Sequence, residues 1–149
     1  MLSSSESIKT SLAAIRNGEA GLNSHRKSLL DRVPNTGDWS AFRKNSITNK
    51  DIAYLSAATR DEFALLRGKK RDILFHGDKR HCEINDELLD LLKMKKLRLV
   101  AHTHPDYGHI QPSSDDRDFI KTIGQKDSVI ISYITGAEKK FSANPFEDM

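Results

Sequence analysis

The stretch that most constrains the fold is LRLVAHTHP, residues 97–105. Its apolar and β-branched residues predict a β-strand, and Pro105 is expected to end that strand because proline cannot donate to a sheet ladder. The strand therefore closes on two histidines, His102 and His104, separated by Thr103. Two imidazoles one residue apart at a strand end can reach one metal ion, provided that the extended chain continues through Thr103.

Side chains alternate between the two faces of a strand. Strict alternation puts Leu97, Leu99 and Ala101 on one face, with Val100 and His102 on the other. On this prediction the first histidine lies opposite the leucines.

The rest of the chain predicts an α/β domain with a mixed β-sheet flanked by helices, because helical and strand patterns alternate along it. The apolar runs on either side of GKK (68–70) indicate a β-hairpin, and Asn85 or Asp86 is a candidate cap for a helix with a buried leucine stripe. Helices are expected at 5–16, 50–58, 86–96 and 114–123, and strands at 62–67, 71–76, 80–84, 97–102, 127–135 and 139–143.

At 149 residues the chain fits one domain with an additional arm. Residues 1–46 are expected to form a helical and polar arm or linker, with a turn at 33–39, and residues 47–149 the domain. The arm could join the domain to a larger parent protein or wrap around the core.

A hydrophobic content of 37% and a charged content of 30% are typical of a soluble globular protein. No apolar run approaches the roughly 20 residues of a membrane span, so no membrane partner is expected. The N-terminal residues do not resemble a secretory signal. The single cysteine, Cys82, cannot form an internal disulfide, which favours a reducing, cytoplasmic location.

Two basic runs, at 67–71 and 93–98, contribute to the net charge of +3. They could form a surface for nucleic acid, or they could be a solvated turn and a helix end. The second interpretation is preferred and no nucleic-acid partner is expected, because acidic residues are scattered nearby and aromatics do not interleave with the basic residues.

The PSSDD segment after the histidines has two interpretations. Ser113 and Asp116 have the spacing of a capping box, which needs no metal. A carboxylate from Asp115 or Asp116 could instead join His102 and His104 as the third protein ligand of a catalytic zinc site. Each ligand histidine should then donate its other ring nitrogen to an acceptor that the sequence does not identify.

The order H-x-H-P, loop, P-S-x-x-D resembles the signature of the JAMM metalloproteases, also called the MPN+ or JAB1 domain family, and a bacterial or phage type in particular. The resemblance implies a fold like that of cytidine deaminases and a Zn²⁺ ion held by His102, His104 and Asp116. The usual loop length selects Asp115 as the ligand, whereas one additional loop residue selects Asp116 and places Ser113 at the oxyanion position. The alignment with one additional loop residue is preferred because it keeps Ser113 at the oxyanion position.

The family also carries an upstream glutamate that acts as the base, and the resemblance implies Glu62 in that role. Gapless alignment selects Asp61 instead. The longer side chain of Glu62 favours it, since it can reach a metal-activated water from a strand. His109 in the loop is expected to be exposed rather than to contact substrate.

The implied activity is hydrolysis of a peptide or isopeptide bond. Its substrate would be a peptide or the C-terminal tail of a ubiquitin-like protein, laid beside an exposed strand. The alternative is an inactive interaction or scaffold module of the same fold that still binds zinc.

Overall fold

A six-stranded mixed sheet organises the residues that the computed structural model describes, which are 24–78, 83–105 and 110–148. Helices lie on both of its faces, so the predicted α/β class is confirmed. The helices are α1 (Ser24–Asp31), α2 (Asn49–Thr59), α3 (Asp86–Lys93) and α4 (Ser114–Thr122), with a short 3₁₀ helix at Pro145–Asp148. The strands are β1 (Trp39–Arg43), β2 (Phe63–Gly68), β3 (Arg71–His76), β4 (Leu97–His104), β5 (Asp127–Ser132) and β6 (Glu138–Ser142).

The strand order is β1-β3-β2-β4-β5-β6. The predicted hairpin is confirmed as β2 and β3, which pair antiparallel. Strands β4 and β5 are the parallel pair, and α4 lies in the connection between them, as parallel neighbours require a crossover. The remaining neighbours pair antiparallel.

Two apolar clusters cover the two faces of the sheet. The first joins α1 and α2 to the sheet through residues such as Leu29, Leu55 and Phe63. The second joins α3 and α4 to the sheet through residues such as Leu88 and Ile120. Each helix thus buries an apolar side against the sheet.

The expected strict alternation along β4 is wrong. Leu66 pairs with Leu99 while Leu65 pairs with Ala101, so Val100 is an additional residue in a β-bulge. Leu99 consequently belongs to the cluster under α3 and α4, whereas Val100 and Ala101 both contact the cluster under α1 and α2. The bulge reverses the alternation.

As a result, His102 shares the face of Leu97 and Leu99 instead of opposing it. Its ring lies edge-on to Phe141, a member of the cluster under α3 and α4, at a centroid distance of 6.1 Å. The histidines therefore project toward α4.

Part of the predicted arm belongs to the sheet. The turn at 33–39 is present, with Gly37 in the left-handed region at φ 84°. It leads into β1, which pairs with β3 as an edge strand, and α1 packs on α2. The boundary at residue 46 therefore does not separate the described part of the arm from the domain. The helix expected at 5–16 lies outside the described residues.

Several element ends differ from the predictions. Helix α3 begins after the Asn85 cap as expected but ends at Lys93, because Lys95 takes a left-handed conformation at φ 62°. Strand β5 ends at Ser132, whose Oγ accepts hydrogen bonds from the next turn. Of the strand expected at 80–84, residues 83 and 84 are not in a strand, and 80–82 lie outside the described residues.

Candidate metal centre

Three side chains meet at the end of β4. His102 Nε2 lies 3.0 Å from Asp116 Oδ1, and His104 Nε2 lies 3.2 Å from Asp116 Oδ2. The two Nε2 atoms are 3.2 Å apart. Because β4 continues to His104, both imidazoles leave the strand on the same face, as the sequence predicted for an extended chain through Thr103.

Asp116 reaches the histidines because a capping box holds it at the first turn of α4. The Ser113 Oγ accepts from the Asp116 backbone N–H at 3.0 Å, and Asp116 Oδ2 accepts from the Ser113 backbone N–H at 2.8 Å. The predicted capping box is confirmed, and its Asp116 carboxylate is also the one that meets the two histidines, so the cap is compatible with a role as metal ligand. Asp115, its exposed neighbour, is not in this cluster.

The donor set fits a divalent metal. His102, His104 and Asp116 each offer one ligand atom, and these atoms lie within 4.8 Å of one another. Four ligands about 2.0–2.1 Å from a shared zinc in a tetrahedron are about 3.3 Å apart, which is close to the spacing seen here. Two imidazole nitrogens and one carboxylate are a ligand set that zinc accepts at catalytic sites, with a fourth position left open.

The electrostatics of the cluster favour an ionised carboxylate. Burial by itself would raise the pKa of Asp116. Hydrogen bonds from His102 and His104 and the backbone N–H of Ser113 outweigh that effect, and they hold the pKa well below its ordinary range. Asp116 is therefore available as an anionic ligand at neutral pH.

The expected second acceptor is not found for His102. Its Nδ1 atom is buried and has no hydrogen-bond partner in the part of the chain that the structure describes. A neutral imidazole that gives its Nε2 lone pair to a metal carries its proton at Nδ1, so this proton would be buried without an acceptor.

The three ligand candidates line a cleft of about 730 Å³ that Glu62 and Ser113 also line. Glu62 precedes β2, and its side chain is on the cleft side because Ala64, two residues on, pairs with His102. Glu62 is 8% exposed. A buried carboxylate thus faces the same space as the donor cluster.

Asp61 is directed elsewhere. Its Oδ2 accepts from His76 Nε2 at 2.7 Å, and His76 Nδ1 donates to the carbonyl of Pro34 at 2.7 Å. The His76 ring also stacks on Phe63 at a centroid distance of 4.4 Å. Asp61 is therefore held beside the turn that precedes β1, and of the two candidate bases Glu62 is the one in the cleft.

Thr103, between the histidines, points away from the cleft into the opposite cluster, as expected. Its Oγ1 accepts from the Phe63 backbone N–H at 2.8 Å and lies 2.7 Å from Ser56 Oγ of α2. These buried bonds tie the histidine strand to the residue that follows Glu62. The role of Ser56 was not anticipated, because its partner is 47 residues away.

The sequence interpretation also missed several residues that line the cleft, among them Glu83, Ile84 and Phe119. Phe119 follows Asp116 by three residues on α4, so helical spacing could have identified it. No comparable signal was available for Glu83 or Ile84, since they come from the segment before α3. His109 lies outside the described residues.

The fold and the cluster together define an α/β domain with a candidate mononuclear metal centre at the end of its central parallel strand. Comparison with protein-family models, with curated proteins and with solved structures finds no match. Among the described residues, no helix has the length and apolar character needed to cross a membrane.

Proposed function

We propose that this protein is a zinc-dependent hydrolase of amide bonds, a peptidase or isopeptidase with a JAMM-like site in a cytidine-deaminase-like fold. The observation that carries the proposal is the convergence of His102, His104 and Asp116 in a cleft that Glu62 also enters. A metal site without an adjacent carboxylate would support binding alone, whereas this cleft supplies a candidate proton acceptor beside the ligands.

A zinc ion held there would polarise the scissile carbonyl and lower the pKa of water toward neutrality. Glu62 would accept the proton of the attacking water and deliver it to the leaving amine. Its burial at the cleft wall keeps competing solvent away from the carboxylate.

Ser113 would stabilise the oxyanion that forms on the scissile carbonyl. Its Oγ accepts from the Asp116 backbone N–H, and a hydroxyl that accepts one hydrogen bond can donate another at the same time. Ser113 lines the cleft, so this donor is available to a substrate.

The substrate we propose is an extended peptide segment such as the C-terminal tail of a ubiquitin-like protein. An extended chain can pair with a free sheet edge, and the two edge strands of the described sheet are β1 and β6. The cytoplasm is the proposed compartment, and the N-terminal arm is proposed to connect to a parent protein or complex.

The test is a cleavage screen on zinc-loaded protein with short amide-linked fluorogenic peptides, including ubiquitin-like tails. Glu62→Gln should lower kcat by at least about 100-fold while zinc content stays near that of the wild type, because the variant loses the proton acceptor and keeps the ligands. Glu83→Gln is the matched control, since Glu83 lines the same cleft but is exposed.

Zinc bound by the wild type without cleavage of any amide in the screen would contradict the enzymatic proposal. That result would favour the zinc-binding interaction module. If kcat fell equally in the Glu62 and Glu83 variants, Glu62 would not be the base.

A further inference from the structure

A second cleft, of about 1150 Å³, lies at the end of the sheet opposite the histidines. Three connections surround it, which are the β2–β3 turn, the α3–β4 turn and the α4–β5 turn. It brings together the two basic runs at 67–71 and 93–98, which are far apart in sequence. We call it the basic cleft.

Eight cationic residues line the basic cleft, and none of the described residues that line it is acidic. Six are lysines, at positions 44, 69, 70, 95, 96 and 126, and two are arginines, Arg67 and Arg98. The sequence disfavoured an anion-binding surface because acidic residues are scattered near the basic runs. Those of them that the structure describes do not line the basic cleft.

The two arginines are already engaged by carboxylates. Arg67 donates to Asp72 at 2.7 Å, and Arg98 donates to Asp127 at 3.2 Å. Lys95 donates to the carbonyls of Ile123 and Gly124 at the end of α4. The other five lysines form no ion pair with any described residue, so most of the unpaired charge in the basic cleft is lysine ammonium.

A pair of like charges extends the cationic surface toward the sheet edge. Arg43 of β1 and Arg71 of β3 are direct partners across the antiparallel ladder, and both are exposed. Like charges at directly opposed positions destabilise a sheet. Arg43 and Arg71 adjoin Lys44 and Lys70 of the basic cleft in sequence, so their charges increase its positive electrostatic potential instead of neutralising it.

The unpaired lysine ammonium groups of the wall suit the closely spaced phosphates of a nucleic-acid backbone. Lysine binds phosphate as a point charge, whereas the arginine fork binds carboxylate or phosphate in a fixed planar geometry, and each of the two arginines here already donates to a carboxylate. Among the described residues, no aromatic side chain lines the basic cleft, and these residues offer no platform on which unpaired bases could stack. The backbone of a duplex presents phosphates without requiring that platform.

The dimensions also fit a charged polymer. The wall extends from Lys70, which precedes β3, across the ends of β2 and β4 to Lys126, which precedes β5, and this is three strand spacings or about 14 Å. Duplex DNA carries one negative charge for about 1.7 Å of its axis when both strands are counted, so a length of about 14 Å carries about eight charges, and those on the facing side meet the wall. Along β4, His102 is four residue steps from Arg98 of the basic cleft, which is about 13 Å at about 3.3 Å for each step.

We propose that the basic cleft binds the phosphate backbone of double-stranded nucleic acid without reading its sequence. Binding there is independent of the proposed hydrolase site, because the two sites occupy opposite ends of β4.

The test is fluorescence anisotropy with short labelled DNA duplexes of two unrelated sequences, in a series of salt concentrations. The cleft variant is Lys69→Gln with Lys96→Gln, and the control is Lys27→Gln with Lys50→Gln, which removes the same charge from exposed positions on α1 and α2. The cleft variant should weaken binding by about tenfold or more and lower the salt slope by about 1 for each lysine removed. The control should change Kd by less than about twofold, and circular dichroism should show that both variants are folded.

Three results would overturn the proposal. The wild type could fail to bind either duplex at low salt, or the two double variants could weaken binding equally, which would indicate a diffuse field. A labelled glutamate-rich peptide could instead bind more tightly than the duplexes and lose affinity in the cleft variant, which would assign the basic cleft to an acidic protein segment.

Discussion

Asp116 accepts a hydrogen bond from the Ser113 backbone N–H at Oδ2, and the same oxygen faces His104 Nε2 at 3.2 Å. Ser113 in turn accepts from the Asp116 backbone N–H. The capping box, which ordinarily stabilises a helix end, thus also orients the carboxylate in the candidate metal centre. Loss of the cap should therefore lower both the stability of the protein and its affinity for metal.

Ser113→Ala should therefore have two effects. Loss of the cap should lower the free energy of unfolding by about 1 kcal/mol. The Ser113 backbone N–H still donates to the Asp116 carboxylate in this variant, so zinc binding should weaken by about tenfold, through the loosened first turn of α4 that carries Asp116. Chemical denaturation measures the first effect, and zinc titration against a chelating indicator measures the second.

Asn85→Ala is the matched control for that experiment. Asn85 caps α3 by accepting from the Leu88 N–H at 3.0 Å and is not part of the donor cluster. Its removal should cost a similar free energy of unfolding with no change in zinc affinity. If both variants bound zinc like the wild type, the cap would have no part in orienting Asp116.

The two neighbouring aspartates should differ in metal binding. Asp116→Ala should abolish stoichiometric zinc, because it removes one of three converging ligands, whereas Asp115→Ala should retain about one zinc for each chain. Mass spectrometry of metal content on purified protein measures both. Zinc lost only with Asp115→Ala would select the other register of the motif and contradict the geometry described above.

Asp72 should be a determinant of stability. It is fully buried and accepts hydrogen bonds from Arg67 and from the backbone N–H groups of Asn45 and Ile47. Asp72→Ala removes one partner of this ion pair and should lower the free energy of unfolding by about 3 kcal/mol. Asp127→Ala, which breaks an exposed pair with Arg98, should cost less than about 1 kcal/mol in the same urea titration.

The same carboxyl group predicts a dependence of stability on pH. Burial acts to raise the pKa of Asp72, but the hydrogen bonds from Arg67, Asn45 and Ile47 outweigh it, so the folded-state pKa is lowered. A lowered folded pKa contributes stability above the unfolded value of about 3.9, and that contribution is lost as the pH falls through the folded pKa. The free energy of unfolding, measured by urea titration, should therefore fall more steeply below about pH 4 for the wild type than for Asp72→Asn. If the two proteins lost free energy of unfolding in parallel as the pH fell, this role of Asp72 would be contradicted.

Thr103 should hold the histidine strand to β2. Thr103→Val keeps the shape of the side chain but leaves the buried N–H of Phe63 without its acceptor, which should cost about 1–3 kcal/mol. Hydrogen exchange at the Phe63 amide should accelerate in this variant. Thr103→Ser retains the hydroxyl, so it should lose stability only through the missing methyl group and keep the Phe63 amide protected. Equal exchange in the two variants would assign Thr103 to packing alone.

Local patterns were sufficient for much of this protein. The strand that ends in His102 and His104, the capped start of α4 and the β2–β3 hairpin all depend on residues a few positions apart. Propensity, capping and alternation act over that range, so these elements could be predicted from the sequence. The sequence also identified Asp116 as one of two candidate ligands and Glu62 as one of two candidate bases.

Choices between those candidates depended on contacts between distant parts of the chain. The pairing of β2 with β4 introduces the bulge at Val100 that turns His102 toward α4, and no local pattern indicates that bulge. His76, 15 residues away, engages Asp61 and leaves Glu62 in the cleft. The basic runs at 67–71 and 93–98 likewise form one surface only because β2 and β4 are neighbours. The sequence by itself determined which groups are available for chemistry, and the tertiary structure decided which of them meet, because strand register and sheet order are set by packing over the whole domain.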